Sequence, residues 1–282
     1  MFSYLRCITR LSTIVPLAAI VLNASAAVAQ PSLNSASGFA ALAGGPAAGA
    51  VTCTGPGSVT GNVGVVPPGT VVNTGCTIVG TVEPTAAVPY ADFLTAYGTL
   101  ASTPCGSTLL NPAVSQTLPP GVYCIATAAT FTGVTLTLNG PENGVWIFKI
   151  GTGGVGALTG TNFSVVMAGG GQPCNVYWWV KDAATLTTSM FKGTILAGAD
   201  ITSTGSILKG ATLAGGSGHT YAPTGAVTLT GSVVSVCSSG SVFPPVEKCD
   251  QGQHYRGDGC DHERGVNGHY HGDGCDHERQ EK

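Results

Sequence analysis

The sequence predicts a mainly β chain wound as an irregular solenoid, with one helix. Three observations carry this reading. Apolar runs are short and broken by 42 glycines, with Thr and Val common between them. One four-residue phrase recurs along the chain. A single stretch has helical spacing.

Residues 1–29 read as a secretory signal peptide. Arg6 and Arg10 form a basic start, "IVPLAAIVL" is an apolar run, and "AVA" at 27–29 is a small-residue cleavage site. An uncleaved anchor would need a longer apolar stretch and different flanks. Residues 30–241 form one domain, large enough for its own core. Residues 242–282 are a linker and a tail.

Within the domain, "YADFLTAYGTLA" (90–101) places Phe93, Tyr97 and Leu100 on one helical stripe, and Pro104 stops it. "GVWIFKI" (144–150), "NVYWWV" (175–180) and "FKGTILA" (191–197) are strand-like, and "VTLTL" (134–138) alternates.

The recurring phrase is an outward residue, a usually apolar residue, Thr or Ser, then Gly or Thr. Its copies begin at Ser58, Thr130, Ala157, Thr185, Ile201 and Thr228. The later copies are separated by steps of solenoid-coil size, and the uneven steps imply insertions. Strand side chains alternate between faces, so the first and third positions point outward. The expected surface is then Ser58, Thr60, Thr130, Thr132, Ala157, Thr159, Thr185, Thr187, Ile201, Ser203, Thr228 and Thr230. Thr202 falls at an inward position, so either it is buried with a partner or the register slips there.

Charge narrows what such a surface does. Between residues 30 and 245 there are four lysines, five acids and no arginine. That excludes the clustered cations of nucleic-acid binding. No apolar run after the signal is long enough for membrane insertion. Scattered carboxylates are poor material for a polysaccharide-cleaving pair, and a Ser/His/Asp site would have only His219, in a Gly-rich loop. No catalytic residue and no cofactor is expected. A Thr-rich strand can be ordinary filling of a solvated face. The sharper reading is a rigid, uncharged hydroxyl grid that organises water. Threonine holds its hydroxyl on a stiff χ1, so an ordered array costs little further entropy.

The ordered set "FAALAG" (39–44), "VTGNVGVVPPG" (59–69), "LPPGVY" (118–123), "WIFKIG" (146–151), "CNVYWWV" (174–180), "FKGTILA" (191–197) and "GAVTL" (225–229) resembles the microbial ice-binding-like (antifreeze) β-helix family. The resemblance runs from about Gly38 to Val236. It implies a right-handed, roughly triangular β-helix with one long α-helix packed alongside. It also implies adsorption to the ice–water lattice through one flat face, without a cofactor. A secreted monomer acting outside the cell is expected. "TLTT" (185–188) is similar to the T-x-x-T phrase on that face in some members. Ile201 and Ala157 depart from a hydroxyl column, and "HTYAP" (219–223) adds a loop. A secreted adhesive or matrix solenoid is the rival function.

Nine cysteines remain after the signal, and secretion makes disulfides the default. Cys105–Cys124 is the first expected pair and Cys53–Cys76 the second. Cys174, Cys237, Cys249, Cys260 and Cys275 are not assignable from sequence. In the tail, His254, Cys260 and His262 recur fifteen residues on as His269, Cys275 and His277. These are ligand types for zinc, nickel or copper, but the spacing is no standard finger. A solvated, partly disulfide-tied tail is the simpler expectation. "RGD" at 256–258 is a weak attachment match, and Asn162-Phe163-Ser164 is a glycosylation sequon.

Overall fold

A computed structural model describes residues 28–45, 49–109, 111, 113–215 and 225–237. The signal segment up to residue 27, the 219–223 loop and tail residues His254, Cys260, His262, His269, Cys275 and His277 lie outside the described residues.

The chain winds into three parallel sheets of nine, seven and eight strands. Every strand pair in them is parallel, as a β-helix requires. Among the described residues the domain is mainly β with a single long α-helix, α1 (Ala87–Ser102).

The sheets differ in what covers them, and their sequences record it. The central strands of the nine-stranded sheet are buried on both faces. Trp146–Ile150 and Val176–Val180 are buried at every position. Such strands read as unbroken apolar runs. Their inward residues Trp146, Phe148, Trp178 and Val180 join the solenoid core. Their outward residues Ile147, Tyr177 and Trp179 pack with Phe93, Ala96, Tyr97 and Leu100 of α1 in a second core. The seven-stranded sheet is covered on one face only, and Ala129–Thr132, Ala184–Thr187 and Val227–Thr230 alternate accordingly.

Strand order is not chain order. In the seven-stranded sheet, Val51–Thr54 lies between Val227–Thr230 and the edge strand Val71–Thr74. The first coils therefore stack on the last. The next coil in sequence begins at the far end, where Ser107–Thr108 is the edge of the nine-stranded sheet. Helix α1 makes that traverse. Its 16 residues span about 24 Å, roughly five strand spacings.

Lys149 fastens the end of the traverse. It is buried, yet its Nζ donates to the Ala101 carbonyl at 2.9 Å and the Thr103 carbonyl at 2.5 Å. A cation on the last carbonyls of a helix meets the negative end of its dipole. Its ammonium also sits 5.7 Å from the centre of the Trp179 ring. Burial lowers the Lys149 pKa. Lys149→Ala is expected to cost about 2–3 kcal/mol in urea unfolding, with the strand content unchanged by circular dichroism.

Candidate functional site

The outward face of the seven-stranded sheet is two columns of threonine. Parallel pairing runs in register from Ala129–Thr132 through Leu158–Thr161, Ala184–Thr187, Ile201–Thr204, Val227–Thr230 and Val51–Thr54 to Val71–Thr74. One column is Thr130, Thr159, Thr185, Thr202, Thr228, Thr52 and Val72. The other is Thr132, Thr161, Thr187, Thr204, Thr230, Thr54 and Thr74. Each of these residues is exposed or half-buried. Columns of this kind have about 4.8 Å between coils and about 7 Å across a strand, so seven strands make a strip about 29 Å long.

Seven of the expected residues stand in these columns: Thr130, Thr132, Thr159, Thr185, Thr187, Thr228 and Thr230. The other five do not. Ser58 and Thr60 belong to the eight-stranded sheet, where they pair with Val233 and Ser235. Ala157 precedes its strand, and Thr161 takes the place expected of it. Ile201 and Ser203 are fully buried, because that strand is shifted by one residue from the expected phase. Thr202 and Thr204 face outward instead. Ser203 is tolerated inside because its hydroxyl pairs with that of Ser232 at 3.0 Å.

Sequence reasoning missed Thr52, Thr54, Thr74, Thr161, Thr202 and Thr204. The Thr-x-Thr spacing stands at 52–54, 159–161 and 202–204, but at the last two the central residue is Gly160 or Ser203 rather than a large apolar one. The centre of 159–161 is Gly160, and a Cβ there would collide with Leu186 Cδ2 at 2.7 Å.

The columns stay aligned because each strand ends alike. The next residue has positive φ at all seven strands: Gly55, Gly75, Gly133, Asn162, Thr188, Gly205 and Gly231. Its amide donates to the adjacent coil, as in Gly133 to Thr161, Thr188 to Thr204 and Gly231 to Thr54. Asn162 and Thr188 are neighbours, and the Thr188 hydroxyl donates to Asn162 Oδ1 at 2.6 Å.

Inside that corner runs a serine ladder. Ser189, Ser206 and Ser232 are buried. Each hydroxyl donates back to the second-column threonine before it, at Thr187, Thr204 and Thr230. Each also accepts an amide of the adjoining coil, from Phe163, Ser189 and Ser206 in turn. The ladder satisfies amides that the turn takes out of the strands.

The strip carries no charge. Nearby acids serve the opposite corner, where Asp182 Oδ2 accepts the Gly156 amide and Asp200 Oδ1 accepts the Ala226 amide. Among the described residues no cluster of three or more His, Cys, Asp or Glu is placed to hold a metal. Disulfides join Cys53 to Cys76 and Cys105 to Cys124.

Known proteins resemble this chain in sequence and fold. The Ice-binding-like family model matches residues 46–235. An ice-binding protein of Nostoc sp. (strain HG1) is 34% identical over 217 residues, spanning 73% of this chain and 74% of that protein. The crystal structure of an ice binding protein from an Antarctic biological consortium superposes with a TM-score of 0.66 at 28% identity, covering 79% of this chain and 96% of that one. That of an ice-binding protein from the ascomycete Antarctomyces psychrotrophicus gives 0.60 at 28% identity, covering 75% and 100%.

Gly133 isolates the cost of the corner. A Cβ there meets nothing within 4 Å, while φ is +62°. Gly133→Ala is expected to lower unfolding free energy by about 1–2 kcal/mol in urea titration, from backbone conformation alone.

Proposed function

The chain belongs to the ice-binding-like family, and from that premise we propose that the two-column threonine strip is the surface that adsorbs to ice. Ice binding is the function, and its antifreeze effect follows from holding the protein on a growing crystal. The observation that carries the choice of face is the register: thirteen threonines and one valine in two unbroken columns across seven strands.

The physical case is preorganisation. Each hydroxyl–water hydrogen bond is worth about 0.5–1.5 kcal/mol net. A mobile surface loses that gain to ordering entropy. Here the backbone is held between coils, and threonine χ1 has few alternatives, so the ordering is already done. The methyl beside each hydroxyl discourages disordered hydration, and the pair offers a regular template to a lattice of water. Lysine or glutamate in these positions would be long, mobile and separately hydrated.

Among the described residues no other sheet face offers this. The outward side of the nine-stranded sheet lies under α1. The eight-stranded sheet presents Met190, Ile207 and Val233 beside Lys192 and Lys209, a mixed surface without a repeat. The strip works without catalysis or cofactor, and a single chain carries all of it. The two disulfides and the signal-like pattern of residues 1–29 support action outside the cell, where such ice forms.

Thr202 is central, with three strands on either side. Thr202→Tyr is expected to abolish incorporation into slowly grown ice and thermal hysteresis, with an unchanged circular dichroism spectrum. Thr135→Tyr, on the exposed face of the eight-stranded sheet, is expected to retain both. Full activity in the Thr202 variant would move the surface elsewhere. A second expectation follows from the chemistry of the columns. None of their side chains ionises in the ordinary range, so ice adsorption should be flat from about pH 5 to 9. A steep pH dependence of partitioning into ice would implicate a charged face.

A further inference from the structure

Cys174 and Cys237 meet in a cavity that plays no part in the threonine strip. Cys174 lies in the short turn Pro173–Asn175 that leads into the buried strand Val176–Val180. Cys237 follows Val233–Ser235, the last strand of the solenoid. Both side chains are half-buried. The cavity, about 480 Å³ and open to solvent, is lined by both cysteines together with Gln30, Ser32, Asn34 and Tyr177. Gln30 Nε2 donates to the Tyr177 hydroxyl at 2.6 Å, laying the start of the described chain across the site.

We propose that Cys174 and Cys237 form a redox-active dithiol that closes to a third disulfide, clamping the last solenoid coil to the turn before Val176. This assignment is independent of which face meets ice. The geometry has what exchange needs: two thiols lining one cavity and an opening through which a small disulfide can reach them.

The two sulfurs are unequal. The hydrogen bond from Cys237 and the nearby Lys209 ammonium favour the Cys174 thiolate, and together they outweigh desolvation and lower its pKa to about 7. Cys237 is pushed up, first as the donor of that bond and then by burial. Cys174 is therefore the attacking thiolate near neutral pH. It attacks one sulfur of a low-molecular-weight disulfide of the glutathione type. A mixed disulfide forms, one small thiolate leaves, and it takes up the proton Cys174 gave to solvent. Cys237 then loses its proton and attacks the Cys174 sulfur, and the second small thiol leaves carrying that proton. The dithiol is oxidised by two electrons and the small disulfide is reduced by two.

The clamp would close a longer loop than either existing disulfide, whose partners are 23 and 19 residues apart. Longer loops restrict the unfolded chain more.

Trypsin tests this directly, because cleavage after Lys149, Lys181, Lys209 and Lys248 puts each cysteine on its own peptide. The full chain is equilibrated with oxidised glutathione, blocked with iodoacetamide, digested without reductant and weighed. The expected product is the 150–181 peptide joined to the 210–248 peptide, two mass units below their sum. Alkylation of both cysteines, or a link from either to Cys249, Cys260 or Cys275, overturns the proposal. In the same oxidising buffer, a Cys174→Ser/Cys237→Ser double variant is expected to melt about 10 °C lower than the parent. Equal melting temperatures would overturn the clamp.

Discussion

Everything in this domain depends on coil-to-coil register. Parallel hydrogen bonding forces each residue to sit directly over its counterpart in the coil before it. A feature chosen once must then be chosen again at every coil. The seven-stranded sheet obeys this rule along its whole height, with an apolar column, a threonine column, a second inward column and a second threonine column. The corner after it obeys the same rule with a left-handed residue in every coil. The serine ladder is the buried form of the same repetition, since each hydroxyl serves its own coil and the next one. In the core, Phe148 stacks on Trp178 with ring centres 4.0 Å apart, about the spacing that adjacent coils impose.

Register explains why the N-terminal coils are where they are. A solenoid built in chain order would need only neighbouring coils to meet. Here Phe39–Ala43 pairs with Thr212–Ala214 on one side and Asn62–Val65 on the other. The first and last coils must find each other after the rest has wound between them. Contacts of such sequence separation are slow to form, because loop closure precedes their reward. Helix α1 answers part of this problem. It carries the chain from one end of the stack to the other as a rigid rod, and its buried stripe registers it against the double-covered sheet. Tyr90 and Tyr97 add polar ties, donating to the Gly215 carbonyl and to the Val180 and Lys181 carbonyls.

These same features decided what the sequence could reveal. The helix was legible because Phe93, Tyr97 and Leu100 repeat with the period of a helix and nothing else there does. Strands covered on both faces were legible as apolar runs. Threonine strands were legible where a large apolar residue stands between two threonines, as Phe131, Leu186 and Leu229 do. They were not legible where the central residue breaks that image. Ser203 is polar yet buried, so the Ile201–Thr204 strand reads equally well one residue out of phase. Gly160 hides the 159–161 strand for the opposite reason, having no side chain to mark a face. Ser58-Val59-Thr60 has the right alternation but stands in another sheet, because alternation gives a face and says nothing about which sheet owns it. Thr52-Cys53-Thr54-Gly55 carries the local alternation, but only the non-sequential stacking order puts it, and Thr74 beside it, in this sheet.

A finite stack also has ends, and a surface that must be rigid cannot fray at them. Edge strands expose unpaired backbone and are the first to open. At one end of the strip, Asn111 stands in for a missing strand: its Nδ2 donates to the Ala128 carbonyl and its Oδ1 accepts the Thr130 amide. The Ala113 amide continues this pairing onto the Thr130 carbonyl. At the other end the edge strand is Val71–Thr74, and a covalent tie holds it. Cys53 faces inward from the penultimate strand, and its partner Cys76 sits just past the corner of the edge coil. Asn73 closes that corner again, exchanging two hydrogen bonds of 3.0 Å with the Cys76 backbone. The outermost strand is also where valine replaces threonine in the first column, at Val72. The hydroxyl pattern thus thins at one border of the strip, while the backbone beneath it remains fastened at both.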